Sequence, residues 1–467
     1  MKAQVLTLLS LIFVLGCETE TTPETQDSVI GDRLDVPTLL PLVDGECEEG
    51  VSNLAGIDYW TWTGEDLVRN SFRGGFWTAE QFLQSPAISR TVFGYQEINE
   101  VDESCDNLNS VSGLLQGGCL KERIVTQKPL NLKICDSYEY PRPSIEAAAL
   151  SVAGILDSAY GFAMKNSGNK RLDPLALLVL PDIRFRKNIG NELSITDNAG
   201  WVLSEKFADI GIRNYLVFYP MSASYLSSGK PPFWEIPWVI NHEYGHHLFF
   251  AYLGPLVKEA FGYFNMQSFD RTFHEHHKHL SDTSTGRGQS LFFTAINEAV
   301  ADLFAHYSLG NSSIQMTSIS CRFALRDVST STLNNGLPKR FNAGDATPSD
   351  ASPCEEVDYG NVHTIGSIIA HFYDQTLLLS GIKDPEAKAQ RMFSFLDVFS
   401  QRLEARLGSG LKISSSDLAE QLIAAAFEDL ENSGKSIRGR HCELVDKVFG
   451  NNFDLRTTMV SKISQCL

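Results

Sequence analysis

Two stretches decide how this chain is read: Ile240-Asn241-His242-Glu243-Tyr244-Gly245-His246 and, further along, Ala295-Ile296-Asn297-Glu298-Ala299-Val300-Ala301-Asp302. The first contains the pattern H-E-x-x-H. Residues four apart on a helix share a face, so the imidazoles of His242 and His246 can reach one cation. Glu243 stands beside that pair, placed to reach water held by the ion instead of the ion itself. Neutral imidazole is a natural ligand for Zn²⁺, and that metal can lower the pKa of its water to about 7. A random chain with the eleven histidines present here would contain the pattern on the order of one time in a hundred. The competing reading is a surface helix with incidental histidines.

A catalytic zinc needs a third protein ligand, and the second stretch supplies one. Glu298 and Asp302 share a helix face. One carboxylate can bind the metal while the other accepts the spare N–H of a liganding imidazole, which fixes its tautomer and orientation. Two acids at this spacing are, taken alone, usually a solvated helix face. Here apolar neighbours surround them, which argues against a purely solvated role.

Outward from these stretches, residues Trp238 to Tyr252 and Leu291 to Tyr307 read as helices. The Ala-rich run IEAAALSVAGILDSAYGFAM after Ser144 reads as another, opened behind Pro141 and Pro143. Leu175 to Leu180 (LALLVL) and Tyr215 to Tyr219 (YLVFY) read as buried strands. Beyond Thr364 the chain is mostly helical: Ile365 to Leu379, Ala387 to Leu407 and Ser416 to Leu430. From Gly31 to Tyr140 no period holds for long, and the segment reads as a loop-rich accessory region or pro-segment. Sheet features before helices predict an α+β architecture in two lobes.

The length of 467 residues exceeds one compact core, so two or three folding units are expected. At 43% hydrophobic and 21% charged, the composition excludes a wholly disordered, collagen-like or coiled-coil chain. A formal charge of −18 argues against nucleic acid as a partner, because no basic field is available to displace counterions from phosphates.

Lys2 and the apolar run Val5 to Leu15 have the form of a secretory leader, too short to span a bilayer. The run ends in Val14-Leu15-Gly16-Cys17, which resembles the lipobox of bacterial lipoproteins. That resemblance implies cleavage before Cys17, lipidation of its sulfur and a membrane anchor on the cell envelope, at the periplasmic face or the cell surface. An ordinary secretory signal with an incidental cysteine is the alternative. Residues Glu18 to Gln26 (ETETTPETQ) read as a flexible tether. No later stretch is expected to span a membrane. Apart from Cys17, eight cysteines remain of the nine, with no Cys-x-x-Cys among them, and up to four disulfides in an oxidising compartment is the simplest reading. Proximity in sequence suggests Cys321–Cys354 and Cys442–Cys466, with Cys47, Cys105, Cys119 and Cys135 pairing among themselves.

Taken together, these motifs resemble those of the thermolysin-like metallopeptidases. His242, Glu243 and His246 match the family's first motif, and AINEAVAD matches its second almost letter for letter. Ala324-Leu325-Arg326-Asp327-Val328-Ser329 is similar to a segment whose arginine binds the substrate carbonyl beyond the scissile bond. Asp358 to His363 (DYGNVH) resembles the segment carrying the transition-state histidine, with an aspartate five residues earlier to orient it. The resemblance covers roughly Val239 to Ser367, together with the Ala-rich helix near Ile145.

It implies one Zn²⁺ held by His242, His246 and Glu298, with Glu243 as general base and then acid, and His363 stabilising the oxyanion. Asp302 would hold His242, Asn297 would support His246, and Asp358 would hold His363. Arg326 would position a protein or peptide substrate. Val239 and Leu325 would line the pocket for the residue after the cut, implying cleavage before bulky hydrophobic residues. The implied fold is a two-lobed metallopeptidase with the zinc cleft between a β-containing N-terminal lobe and a mostly helical C-terminal lobe. Residues 1–16 are then a signal peptide, 17–35 a lipidated tether and 36–140 the accessory region. Residues 141–253 form a catalytic lobe ending in the H-E-x-x-H helix, and 254–467 a helical catalytic lobe.

The chain also departs from the family. The interval from His246 to Glu298 is much longer than in thermolysin. Gln289 stands where a tyrosine should assist at the oxyanion, which leaves that role to His363 or to a tyrosine elsewhere. Trp238 and Leu309 occupy positions of acidic calcium ligands, so no calcium is expected there. Asn198-Ala199-Gly200-Trp201 is faintly similar to the edge-strand segment that pairs with substrate backbone. The cluster His274-Glu275-His276-His277-Lys278-His279 lies in the long interval, and a solvated insertion is favoured there over metal acquisition or a lid. Two other functions compete with the endopeptidase: a non-catalytic zinc-containing or peptide-binding lipoprotein, and an aminopeptidase, for which no clear acidic anchor for a free α-amine is seen. Retention of Glu243 argues against the non-catalytic reading, because a structural zinc requires no adjacent base.

Overall fold

The structure is a computed structural model. It describes residues 42–44, 57–72, 85–93, 95–101, 120–126, 130–132, 145–168, 172–179, 183–186, 192–194, 199–207, 212–218, 221, 225, 227–260, 286–310, 328, 362–408, 415–450 and 463–466. They divide into two compact units, the first drawn from Met1–Thr61, Val68–Asp157 and Pro174–Glu235. The second is drawn from Trp62–Leu67, Ser158–Asp173 and Ile236–Leu467.

The first unit is built on strands. Strand β8 (Leu175–Val179), the expected apolar run, sits inside a four-stranded sheet ordered β11-β12-β8-β4. Both of its neighbours, β12 (Ile212–Phe218) and β4 (Ile88–Phe93), run parallel to it. Leu175 and Leu177, which share one face of the strand, are fully buried, and β8 lies between two parallel neighbours, the setting in which near-continuous apolar runs are found. Strand β11 (Ala199–Phe207) is an end strand of the sheet, antiparallel to β12, and carries Ala199, Gly200 and the buried Trp201. A second four-stranded sheet is ordered β10-β9-β5-β6, comprising Glu192–Ser194, Ile183–Arg186, Tyr95–Val101 and Leu120–Thr126. Strands β1 (Leu42–Asp44) and β7 (Leu130–Leu132) form a parallel pair, and β2 (Ile57–Trp62) with β3 (Leu67–Phe72) a further two-stranded sheet.

These strands correct two expectations. The segment from Gly31 to Tyr140 carries β1 to β7 and is not simply loop-rich. Its strands are short, and the β5–β6 register shifts between Glu97 and Glu100 and again before Val101, which breaks the alternation a sequence reading relies on. Nor does residue 140 mark a structural boundary, since β4 pairs with β8 and β5 with β9 across it.

Helix α1 (Ile145–Asn166) is the expected Ala-rich helix. In the first unit its Gly154 admits the ring of Tyr59, which a Cβ would meet at 2.7 Å, and the backbone N–H of Trp60 donates to Ser151 Oγ at 3.3 Å. Contrary to the expectation that no stretch past the leader is long and apolar enough to cross a bilayer, Glu146–Asn166 is so by length and composition; two-thirds (67%) of its most apolar window is buried inside the protein, as in a core helix.

The second unit is helical: α2 (Pro237–Ala260), α3 (Gly286–Ser308), α4 (Val362–Leu379), α5 (Pro385–Gly408), α6 (Ser415–Asn432) and α7 (Gly439–Val445). The H-E-x-x-H helix therefore belongs here, and not to a β-containing lobe ending at 253. Helix α2 begins with proline, whose missing N–H is no loss in a first helical turn. Helix α4 ends in a left-handed Gly381 (φ 80°), where the N–H groups of Ile382 and Gly381 close onto the carbonyls of Leu377 and Leu378. Three residues later Asp384 Oδ2 accepts the Ala387 N–H at 2.8 Å, capping α5 with Pro385 in its first position. Helix α3 is the hub, lying against α2, α4, α5 and α6. Its residues from Phe292 to Tyr307 are all buried. Cys442 and Cys466 form the expected disulfide; the other expected pairings, Cys17 with its leader and tether, and the His274–His279 cluster lie outside the described residues.

Candidate metal centre

His242 and His246 project from α2 one turn apart, and Glu298 projects from α3 to meet them. All three are fully buried, and one donor atom from each lies within 4.8 Å of the others. The separations are 3.0 Å between the two Nε2 atoms, 3.4 Å from His242 Nε2 to Glu298 Oε2, and 3.7 Å from His246 Nε2 to Glu298 Oε1. Bonds of about 2.0–2.2 Å in tetrahedral array would set ligand atoms about 3.3–3.6 Å apart. The three donors therefore stand near the corners of a small tetrahedral site, and the group could hold a metal ion.

The chemistry of the donors agrees. Asp302 Oδ1 lies 2.9 Å from His242 Nδ1, so the ring N–H donates to the carboxylate and Nε2 presents its lone pair to the metal position. Asp302 thus occupies the supporting place expected of it. Glu243, Glu298 and Asp302 are each no more than 1% exposed. Burying three carboxylates costs several kcal/mol apiece by order of magnitude unless opposite charge accompanies them, and a divalent cation supplies two such charges. The ring of Trp238 stacks on His242 at 5.2 Å between centroids, a second restraint on that imidazole.

His363 stands in the first turn of α4 with its side chain 12% exposed, and its Nε2 lies 3.5 Å from Glu298 Oε1. The structure thus brings it beside the ligand set without making it a member. Val239, one turn before His242, is buried on α2. Asn297 is buried, but among the described residues neither its amide nitrogen nor its oxygen has a hydrogen-bond partner, so the expected support of His246 is not formed. Asp358, Arg326 and Leu325 lie outside the described residues, as does the side chain of Gln289. Val328, two residues past Arg326, is buried, and its carbonyl lies 3.1 Å from His371 Nδ1. His247 adjoins the cluster outside the ligand set; burial pushes its pKa down to about 4 against the opposing influence of the Asp173 backbone and charge.

Two glycines that the motif reading passed over bring the helices together. A Cβ on Gly245, between the two histidines, would lie 2.5 Å from Ala301 Cα; one on Gly366 would lie 2.5 Å from Glu298 Cβ. Asn241 Nδ2 also donates to Ser308 Oγ at 2.8 Å, tying α2 to the end of α3. A glycine inside H-E-x-x-H and another one turn past His363 are the only signals the sequence offers for these contacts. Comparison of the chain with protein-family models, with curated proteins and with solved structures finds no match in any of the three.

Proposed function

We propose that this chain is an exported, lipid-anchored zinc endopeptidase of the thermolysin-like kind. It would be anchored through Cys17 and hydrolyse peptide bonds before bulky hydrophobic residues. One observation carries the reading: two imidazoles and a carboxylate converge in a buried group, Asp302 backs one imidazole, and Glu243, next in sequence to His242, is buried on the same helix. Two histidines and a glutamate form a donor set that catalytic zinc uses with a position left open.

His242, His246 and Glu298 would hold a zinc ion, which would supply Lewis-acid chemistry to a carbonyl and lower the pKa of water to about 7. Glu243 takes a proton from the attacking water and passes it to the leaving amine, so no net proton remains on the enzyme. His363 donates from Nε2 to the carbonyl oxygen as negative charge builds there, a contribution worth about 10²–10³ in rate for comparable donors. Asp358 orients His363, Arg326 holds the carbonyl beyond the cut, and Val239 with Leu325 line the pocket that follows. The fold that goes with this reading is the two-lobed one of the same family.

The test is cleavage of an unstructured protein, with and without chelator, by the parent and by Glu243→Gln. The variant is expected to retain zinc and lose cleavage. A variant that cuts as fast as the parent overturns the mechanism, and a parent that holds zinc yet cuts nothing favours the non-catalytic zinc-containing reading instead.

A further inference from the structure

Helix α3 is approached from two sides by helices that each present a glycine. Gly245 of α2 faces Ala301. Gly366 of α4 faces Glu298 and its neighbours: an added Cβ would meet Glu298 Cβ at 2.5 Å, Ala295 O at 2.9 Å and Ala299 N at 3.1 Å. Two of those three atoms are backbone and the third is the first carbon of a ligand side chain, so no rotamer change could relieve the crowding. Gly366 is thus the point at which α4 rests on the helix that carries Glu298.

His363 lies three residues earlier on α4, one turn away on the same face. Its reach to the metal position, measured by the 3.5 Å from Nε2 to Glu298 Oε1, depends on how closely α4 seats at Gly366. A second contact fixes that turn from within. Ser367 Oγ donates to the backbone carbonyl of His363 at 2.8 Å, a back-bond one helical turn long.

We infer that Gly366, with Ser367, is the positioning element that sets the distance of His363 from the metal position. Gly245 has the separate task of setting the metal ligands against one another. The inference rests on the reading of His363 as the donor to the oxyanion. A displacement near 1 Å can lower a rate about 10²-fold when it moves a group out of alignment. Gly366→Ala therefore acts on turnover through His363 as α4 is held off α3, and any shift of Glu298 itself reads out separately as weaker metal binding.

The experiment compares Gly366→Ala, Ser367→Ala, His363→Ala and the Gly366→Ala/His363→Ala double variant in the full chain. Each is loaded with zinc for kinetics and with Co²⁺ for NMR of the ¹⁵N-labelled histidine rings. Gly366→Ala is expected to keep its metal, lose about 10- to 100-fold in kcat with KM little changed, and show a weaker paramagnetic shift of the His363 ring. The double variant is expected to be no slower than His363→Ala alone, and Ser367→Ala to move both readouts less but in the same direction. Additive losses in the double variant, or an unchanged His363 shift in Gly366→Ala, overturn the inference. If Gly366→Ala does not fold, Ser367→Ala decides, and an unchanged shift with unchanged kcat overturns it. A His363→Ala protein with full kcat defeats the catalytic reading instead, while the paramagnetic shift still reports whether Gly366 sets the distance.

Discussion

Oδ1 of Asp302 lies 2.9 Å from Nδ1 of His242, with both side chains no more than 1% exposed. The bond selects the tautomer in which Nε2 is bare, and the stacked Trp238 holds the plane of the same ring. Carboxylates behind metal-bound histidines typically contribute 10- to 100-fold in metal affinity. Asp302→Ala is expected to weaken binding by about that factor. Asp302→Asn, which keeps an acceptor oxygen but no charge, should lose less. Competition against a chromophoric chelator measures both, and an Asp302→Ala protein that holds metal as tightly as the parent would remove Asp302 from the site's function.

Gly245 makes a different demand. Its added Cβ would stand 2.5 Å from Ala301 Cα and 3.1 Å from Ala301 O, so α2 and α3 must part for any side chain to fit. Ligand bonds tolerate only about 0.2 Å, while the helices would have to separate by considerably more. Gly245→Ala is expected to cost about 1–3 kcal/mol in stability, as overpacked cores do, and to weaken metal binding more than tenfold by about the factor seen when a supporting contact is lost. Thermal melting and chelator competition give the two numbers. Adding Ala301→Gly removes only the 3.2 Å Cβ contact and leaves the Cα and carbonyl contacts, so it should restore little.

How much of this could be read beforehand depends on how local the determining contact is. His242, His246, Glu298 and Asp302 were legible because helical spacing alone puts each pair on one face. His363 was legible only in the company of its motif, since a lone histidine at a helix start carries little information. Gly245 and Gly366 were not legible, because a glycine within a helix acquires meaning only when another helix crosses it. The strands β1 to β7 escaped for a related reason. Their partners are distant, as when β4 joins β8 and β5 joins β9, and bulges in β5 and β4 interrupt the alternation. Lys388 is an instructive case: it falls on the apolar stripe of α5 with Met392, Phe395 and Phe399, and is buried with them. A charge on such a stripe implies a buried counter-charge, but periodicity does not say where.

That counter-charge is Asp374 on α4. Lys388 Nζ lies 2.7 Å from Asp374 Oδ1, at 4% and 1% side-chain exposure. The Tyr307 hydroxyl donates to the same oxygen at 3.1 Å, and burial followed by the Asp374 charge raises the Tyr307 pKa well above its ordinary value. Removing one member of such a pair leaves a buried charge alone, which costs about 3–5 kcal/mol; removing both charges is often close to neutral. Lys388→Met is therefore expected to destabilise by about 3–5 kcal/mol. Lys388→Met/Asp374→Asn, which keeps an acceptor for Tyr307, should recover most of that. Urea unfolding of the four members of the cycle measures the coupling, and a double variant as unstable as the single one would show that the pair is not the unit of stability here.

His441 couples the end of the helical unit to pH. Its Nδ1 accepts the Arg438 backbone N–H at 3.1 Å, so the ring proton is on Nε2, which faces Ser380 Oγ at 3.0 Å. The ring meets Phe427 in a T-shaped contact, 6.0 Å between centroids. Protonating Nδ1 would break the Arg438 bond and place a cation at the start of α7, where the helix dipole opposes it. Burial lowers the His441 pKa against the opposing pull of the Arg438 and Thr376 backbone, and the Arg438 charge adds a smaller push downward. The unfolded chain, with an ordinary histidine pKa near 6.5, then binds a proton that the folded protein refuses. The contribution to stability is complete above about pH 6.5 and declines as the pH falls below it. The His441 ring should titrate below about 6.5 by NMR, and the melting temperature should drop between pH 7 and pH 5. His441→Asn, which retains an acceptor for the Arg438 N–H, is expected to flatten part of that slope. A ring that titrates above the ordinary histidine value, with stability rising on acidification, would show that the folded state welcomes the proton instead.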